Sequence, residues 1–408
     1  MENLKQEVNG SVVLMAGNRK MLLDNWKVAG TKQEDLFKYL KNLENATKII
    51  PCRTDAIQIF TLDHVDLEKK EFVGYRHGAE YGTIEDDIPF VRMKKYEGMT
   101  SDLSEEVKNK SKMFILIGND IFYVTKKALP TLAQRAGSST GKFASMDSLR
   151  IRFHRDAGYV SFMQACPSSC NILIRKYDNA KKIFAVFSDG YTIISQKELL
   201  EAIMQQFGVM GRTSIYYSID NFNTCINLEF PEFQRFDIPN ELKQDIVPGI
   251  LVQMSDTGES SFSIIGTLRA KTGITYVPGA VYTRKHTKNA SVETIAAEAF
   301  KLILPKFEKF PHIVKSLYGI GISNIEETVT KVVAHCGIKA SVSAKVAETV
   351  LNSTLDSLQE FQYCTALDVA SAVVEACDLI SEDTCDKVSE KLRSCSVKAF
   401  LFRYAPEN

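Results

Sequence analysis

Residues 247–300 decide the fold class, because the local pattern changes within them. They read VPGILVQMSDTGESSFSIIGTLRAKTGITYVPGAVYTRKHTKNASVETIAAEAF. Up to about residue 283, short apolar runs alternate with glycines, and this pattern predicts an antiparallel meander of strands. From Ser291 onward the apolar residues follow helical spacing, and Ser291 is a suitable N-cap for a helix. The chain therefore changes from sheet to helix near residue 290.

The chain before this stretch reads as strands with a few helices between them. Helices are predicted from Gln33, over 126–136 with Pro130 in the first turn, and over 196–207. Strands are predicted within 56–90, 113–124, 172–174 and 183–187, and a hairpin over 215–230. Nearly everything from Ser291 to Ser394 has helical periodicity.

These patterns predict an α+β protein with an antiparallel or mixed sheet core in the N-terminal two-thirds and a mostly helical C-terminal region. We divide it into an N-terminal α+β region (1–124), a central sheet-rich core (125–290) and a helical region (291–408). A length of 408 residues is consistent with two or three domains.

Composition excludes some classes of function. Lys plus Arg equals Asp plus Glu at 50 each, so bulk charge gives no argument for nucleic-acid or membrane binding. No apolar run approaches the ~20 residues of a membrane span, and the first thirty residues lack the apolar core of a secretory signal. Nine cysteines then fit reduced thiols. We expect no membrane association and a location in the cytoplasm.

Charge is nevertheless uneven along the chain. Basic residues outnumber acidic ones in 141–182, and 261–288 has no acidic residue. The basic residues are Lys142, Arg150, Arg152, Arg155, Arg175, Lys176, Lys181, Lys182, Arg269, Lys271, Arg284, Lys285 and Lys288; the aromatics among them are Phe153, Tyr159, Phe162, Tyr177, Phe184, Tyr276 and Tyr282. A basic sheet with aromatic residues is typical of single-stranded nucleic-acid surfaces. The same alternation could instead place the aromatics in the core.

Two further segments are strongly charged. Residues 355–390 are acidic, with Lys387 as their one cation, and could form a helical tail that packs over the basic middle or a solvated helix face. Arg284-Lys285-His286-Thr287 precedes the Ser291 helix, where the helix dipole would favour an anion. A basic surface turn is the alternative there.

Candidate catalytic motifs are weak. Cys166 and Cys170 lack a second pair of metal ligands, and a structural role is the better interpretation. Asp66, Glu68 and Lys70 resemble the magnesium-binding cluster of some nucleases, but such triples also arise by chance. Gly137 to Lys142 resembles a phosphate loop, yet it follows a helix and has too few residues between its glycines.

Several segments occur in the order found in a phage and plasmid family called domain of unknown function 932. They are TKKALPTLAQRAGSSTGKF (125–143), NILIRK (171–176), IFAVFSDGYTII (183–194), the helix over 197–207, Pro248-Gly249-Ile250 with SDTG (255–258), RKHT (284–287) and TALDVASAVVEAC (365–377). The chain resembles this family over roughly residues 120–395. It departs from the family pattern at Phe184, where an arginine is usual, and at AKTG (270–273).

The resemblance implies a protein of phages, prophages or conjugative plasmids that is encoded among DNA replication and recombination genes. No activity is attached to the family. Together with the local charge, it predicts a non-enzymatic, homo-oligomeric protein that binds single-stranded DNA in the bacterial cytoplasm, for annealing, recombination or protection of replication intermediates. A host-takeover or anti-defence protein that binds a host or phage protein is the alternative. A nuclease using Asp66 and Glu68 ranks lowest.

The predicted nucleic-acid contacts are one set of cations and aromatics, without catalytic residues, metal ligands or a cofactor. They are Arg150, Arg152, Arg175, Lys176, Tyr177, Lys182, Tyr282, Arg284, Lys285, His286 and Lys288. In this set, the cations would contact phosphates and Tyr177 or Tyr282 would stack on bases.

Overall fold

The computed structural model describes most of the chain and places it in two sheets and a set of helices. The described residues are 21–66, 68–69, 71–78, 90–94, 101–138, 148–177, 180–208, 214–230, 247–258, 261–270, 273–284, 291–361, 364–382, 392 and 394–404. The strands are β1 (Lys27–Gly30), β2 (Thr47–Arg53), β3 (Gln58–Asp66), β4 (Glu71–His77), β5 (Phe90–Lys94), β6 (Met113–Ile117), β7 (Asp120–Val124), β8 (Ser169–Tyr177), β9 (Ala180–Ser188), β10 (Ser214–Asp220), β11 (Thr224–Glu229), β12 (Val247–Met254), β13 (Phe262–Ala270) and β14 (Gly273–Arg284).

The helices lie between these strands and after them. They are α1 (Gln33–Ala46), α2 (Ser101–Asn109), α3 (Leu129–Arg135), α4 (Leu149–Ala165), α5 (Gln196–Gln206), α6 (Val292–Tyr318), α7 (Ile325–Cys336), α8 (Ala340–Phe361) and α9 (Ala366–Glu382), with 3-10 turns at Thr54–Ala56, Lys126–Ala128 and Val397–Leu401. This arrangement confirms the predicted α+β class, with sheets in the N-terminal two-thirds and helices after them.

The first sheet has six strands in the order β1-β10-β11-β12-β13-β14, and every neighbouring pair is antiparallel. It contains the predicted meander and the predicted 215–230 hairpin. The second sheet has eight strands in the order β2-β8-β9-β7-β6-β3-β4-β5, and among these described strands only the β7–β9 pair is parallel. Since β7 and β9 pair, this sheet extends across the predicted 124/125 boundary.

The hydrophobic core is divided among both faces of the eight-stranded sheet and both faces of the six-stranded sheet, where a small cluster of Ile265, Tyr276 and Val397 lies opposite the larger one. One cluster lies between the eight-stranded sheet and helices α3 and α4. A larger cluster includes residues from Met21 to Tyr404 and joins the six-stranded sheet to the helices. Gly266 permits close packing there, because a Cβ at this position would meet Phe307 of α6 at 3.1 Å and Ala280 at 2.8 Å.

Helix ends follow the sequence closely. The Ser291 side chain accepts a hydrogen bond from the Thr294 backbone N–H at 3.2 Å, which confirms the predicted N-cap. Pro130 lies in the first turn of α3, as predicted. Within the described residues, no helix is long and apolar enough to cross a membrane.

A buried arginine connects the two sheets. Arg175 on β8 is 1% exposed. Its Nη2 donates to both carboxylate oxygens of Asp256, at 2.9 and 2.8 Å, and its Nη1 donates to the Asn221 side-chain oxygen at 2.8 Å. Asn221 and Asp256 lie in the turns that follow β10 and β12, so two turns of the six-stranded sheet meet one face of the eight-stranded sheet.

We expect Asp256→Ala to lower the free energy of unfolding by about 3–5 kcal/mol, because it leaves the Arg175 guanidinium buried without its counterion. The double replacement Arg175→Met/Asp256→Leu should cost clearly less, since no charge is then buried. Denaturant unfolding measures both values. Glu327→Gln, in an exposed pair with Lys331, is the control and should cause no detectable change. Equal losses in the single and double variants would contradict the pairing argument.

Candidate nucleic-acid interface and buried ionic clusters

The β8–β9 hairpin carries three of the predicted phosphate contacts, and strand alternation divides its cations between two faces. Arg175 lies opposite Lys182, and Lys176 lies opposite Lys181. Arg175 and Lys182 point into the protein, where each is 1% exposed, whereas Lys176 is exposed. Two of these four cations are therefore part of the protein interior.

Lys182 satisfies all three of its ammonium hydrogens inside the protein. It donates to the Leu22 carbonyl at 2.6 Å, to Asp24 at 2.6 Å and to the Glu106 carboxylate. Its ammonium also lies 4.9 Å from the centre of the Tyr123 ring. Lys182 thus ties the segment before β1 and helix α2 to the sheet, and leaves no donor for a phosphate.

The predicted basic sheet is wrong for residues 149–165, which form helix α4. Arg152 is buried at 4% exposure and donates to the Leu62 carbonyl at 3.0 Å, while Arg150 on the same helix is exposed. The pattern was misleading because α4 buries charged residues against β3 and β4. The helix therefore lacks the clear apolar stripe that would have identified it.

None of the remaining predicted contacts that the structure describes is exposed. Tyr177 is 7% exposed, and its hydroxyl contacts the Met21 sulfur at 3.1 Å. Tyr282 is 9% exposed and donates to Glu298 at 2.7 Å, and the same carboxylate accepts from Arg284 at 2.8 Å. Lys285, His286 and Lys288 lie outside the described residues. Neither tyrosine presents its ring to solvent for stacking on a base.

The weaker motifs have local structural roles. The Asp66 carboxylate accepts from the Lys69 backbone N–H at 3.0 Å, as expected of a turn residue, and Lys70 lies outside the described residues. Gly137, with φ of +64°, ends helix α3, and residues 139–142 of the loop are not described. Among the described residues, no three His, Cys, Asp or Glu side chains are placed to hold a metal ion.

A buried polar cluster that the sequence gave no reason to predict lies between α4 and the strands β3 and β4. The Thr61 hydroxyl donates to Asp156 at 2.8 Å and contacts His77 Nε2 at 2.8 Å, and Arg155 Nε donates to the other Asp156 oxygen at 2.7 Å. Because the hydroxyl gives its proton to Asp156, His77 must donate from Nε2. Asp156 is fully buried, His77 2% exposed and Arg155 6% exposed.

The order of these groups does not suit a nucleophilic triad. In such a triad, imidazole stands between carboxylate and hydroxyl so that it can remove the hydroxyl proton. Here the Thr61 hydroxyl stands between the carboxylate and the imidazole. Burial lowers the pKa of His77 to about 4, and burial raises the pKa of Asp156 against the opposing effect of Arg155. A neutral His77 held beside the Arg155–Asp156 pair is a structural arrangement.

A small cavity of about 120 Å³ lies where the two sheets and α1 meet. Its lining residues include Leu40, Thr47, Ile193, Gln196 and Asp256. Ligand pockets usually measure about 300–1,000 Å³, whereas one water occupies roughly 30 Å³ of liquid. This cavity has room for a few waters and is too small for a nucleotide.

Three outward-facing cations share a face and form a lysine strip, which we define as the exposed Lys48 on β2 and Lys176 on β8 together with the partly exposed Lys181 on β9. Lys48 lies opposite Ile174, so it shares the face of Ile174 and Lys176, and Lys176 lies opposite Lys181. Neighbouring strands are ~4.8 Å apart, so the strip crosses three strands within about 10 Å. Among the described residues, one member of the strip has an ion-pair partner: Lys181 pairs with Asp120.

Of the lysine strip, the sequence prediction contained Lys176 alone. Lys181 was visible in the basic stretch, and the alternation of β9 would have placed it outward. No local pattern in the sequence pointed to Lys48. Its proximity to Lys176 and Lys181 depends on the pairing of β2 with β8, which are far apart in the chain.

Comparison of the chain with protein-family models, curated proteins and solved structures gave no significant match. The resemblance to domain of unknown function 932 therefore stays a prediction.

The buried His77 predicts a pH dependence of stability. Its pKa is about 4 in the folded protein against 6.5 ordinarily, so the unfolded chain binds the proton more readily between these values. The free energy of unfolding should then fall as the pH decreases from 6.5 to 4, by up to ~3 kcal/mol. Urea unfolding across this range should show the fall in the natural protein and a smaller one in His77→Gln. Asp156 is common to both proteins, so identical pH profiles would contradict the assignment to His77.

Proposed function

We propose that this protein binds single-stranded DNA without cleaving it and that the lysine strip contacts the phosphate backbone. The observation that carries the proposal is the placement of Lys48, Lys176 and Lys181 on one face of three adjacent strands. Cations spaced along a surface attract a polyanion because binding releases the counterions condensed on it. The predicted role in annealing, recombination or protection of replication intermediates belongs to this proposal.

The lysine strip is costly for the fold, and this cost favours a functional role. Like charges directly opposite each other on paired strands are destabilising, and Lys176 and Lys181 are such a pair. Asp120 offsets one of the two charges, since it pairs with Lys181. Lys48 and Lys176 have no ion pair with a described residue. A polyanion would supply the missing negative charge.

The proposal places phosphate binding on fewer residues than the sequence suggested. Arg152, Arg175 and Lys182 are buried in internal hydrogen bonds, and Arg284 shares the Glu298 carboxylate with Tyr282. Arg150 and Lys176 are the exposed members of the predicted set whose side chains are described. Both tyrosines of the predicted set are buried, so the exposed cations favour contact with the backbone over stacking on bases, and little sequence preference is expected.

Binding of a protein partner is the second candidate, and exposed leucines near the C-terminus favour it. Helix α9 packs on the Val397–Leu401 turn, and each presents a leucine that is more than half exposed, Leu379 at 55% and Leu401 at 52%. Large apolar side chains left exposed on neighbouring elements are candidates for an interaction surface. A host or phage protein, or a second copy of this chain, could occupy such a surface in the expected bacterial setting.

The test is binding of a fluorescent single-stranded oligonucleotide by the full chain across a salt series, beside a duplex of the same sequence. We expect affinity to fall with salt, at a slope of about −0.7 per phosphate contact, and the slope of Lys48→Gln/Lys176→Gln/Lys181→Gln to be shallower by roughly 2. The backbone of a single strand is flexible enough to follow the strip, so we expect the single strand to bind more tightly than the duplex.

The matched control is Lys301→Gln/Lys309→Gln/Lys345→Gln, which removes the same charge from exposed positions on α6 and α8. It should keep the slope of the natural protein. Equal slopes in both triple variants would remove the strip from the proposal. No binding of DNA by the natural protein at low salt would overturn the proposed function and leave the protein-partner candidate.

A further inference from the structure

Two cysteines from distant parts of the chain meet on strands β2 and β8. Cys52 lies directly opposite Cys170 in the antiparallel register, and their sulfur atoms are 3.3 Å apart. Cys52 is half-buried and Cys170 is 1% exposed. Beyond this pair, the Thr54 backbone N–H donates to the Ser168 carbonyl at 2.9 Å and the Thr54 hydroxyl accepts from the Ser168 N–H at 2.9 Å. Hydrogen bonds thus hold the strands together on both sides of the thiols.

We propose that Cys52 and Cys170 form a redox-active dithiol site that a low-molecular-weight disulfide of the glutathione class converts to an intrachain disulfide. Directly opposite residues of antiparallel strands have Cα atoms ~4.5–5.5 Å apart, within the ~4.4–6.8 Å that a disulfide bridges. The bond can therefore form without moving either strand out of register. The proposal is independent of DNA binding.

The environments of the two sulfurs assign their roles. The hydrogen bond from Cys170 lowers the pKa of Cys52, whereas the same bond and burial raise the pKa of Cys170. Cys52 is also the more accessible of the two. It is therefore the attacking thiolate, and Cys170 is the resolving thiol.

The exchange balances in two steps. The Cys52 thiolate attacks one sulfur of the small disulfide, forms a mixed disulfide and releases one small thiolate. Cys170 then gives its proton to the released thiolate and attacks the Cys52 sulfur, which expels the second small thiolate, and that thiolate takes a proton from water. Cys52 and Cys170 are together oxidised by two electrons, and the small disulfide is reduced to two thiols.

Metal binding by the same pair is poorly supported. Zinc in a structural site usually has four protein ligands and in a catalytic site three. Within the part of the chain that the structure describes, no group of three His, Cys, Asp or Glu side chains is placed to hold a metal ion. The two thiols are placed to react with each other.

Oxidation would act on an edge of the eight-stranded sheet. Among the strands that the structure describes, β2 is the last on its side and pairs with β8 alone, so its backbone hydrogen bonds open more easily than those of central strands. A disulfide between Cys52 and Cys170 would join β2 covalently to β8. Lys48 is on the same strand, so the bond would also hold the β2 end of the lysine strip in place.

The test equilibrates the reduced full chain with mixtures of reduced and oxidised glutathione, followed by digestion without reductant and mass spectrometry. We expect a peptide linked through Cys52 and Cys170 to accumulate as the oxidised fraction rises. Hydrogen exchange of the β2 amides should become slower in the oxidised protein. Both measurements use the natural chain, so neither depends on whether a cysteine variant folds.

Cysteine variants then assign the bond. Cys166→Ser removes an exposed thiol four residues before Cys170 and should leave the linked peptide unchanged. Cys52→Ser and Cys170→Ser should each abolish the linked peptide. In Cys170→Ser the reaction should stop at the mixed disulfide, with glutathione attached to Cys52. A natural chain that stays reduced, that keeps glutathione on Cys52, or that links Cys166 in place of Cys170 would overturn the proposal.

Discussion

Two buried cations on one hairpin hold this protein together. Arg175 reaches the turns of the six-stranded sheet through Asp256 and Asn221, and Lys182 reaches the segment before β1 and helix α2 through Asp24 and Glu106. Burying an ionised side chain costs several kcal/mol, and the cost is offset only when its partners satisfy it. Here each cation has several acceptors, and the Phe184 ring lies 4.5 Å from the Arg175 guanidinium carbon. The relative position of the two sheets thus depends on electrostatic contacts as well as apolar packing.

The same hairpin determines what its other face offers to solvent. Since side chains alternate across a strand, a hairpin with consecutive cations on both strands must direct half of them inward and half outward. The inward pair is satisfied inside the protein. The outward pair, Lys176 and Lys181, joins Lys48 on the neighbouring strand, because β2 pairs with β8. One run of basic residues therefore contributes both to stability and to the surface that we propose for phosphate contacts.

Helix α4 shows why residue type was a poor guide to the site. Its Arg152, Arg155 and Asp156 are buried against β3 and β4, where the Thr61 hydroxyl donates to Asp156 and contacts His77. From the sequence, this run of arginines suggested a nucleic-acid surface. Charged residues are seldom buried unless they are paired, and the partners here, Leu62 and Thr61, come from a strand 90 and 95 residues earlier in the chain. No local pattern contains that information.

The sequence by itself determined the α+β class, the change to helix at Ser291, the meander of β12 to β14, the hairpin of β10 and β11, and the N-terminal position of Pro130 in α3. Each of these depends on local periodicity, capping or turn chemistry, which neighbouring residues decide. Only the tertiary structure decided that Arg175 and Lys182 are interior, that Lys48 joins Lys176 and Lys181, and that Cys52 meets Cys170. Alternation assigns residues to two faces of a strand, but which face is covered and which strand lies alongside depend on chain segments far away in sequence.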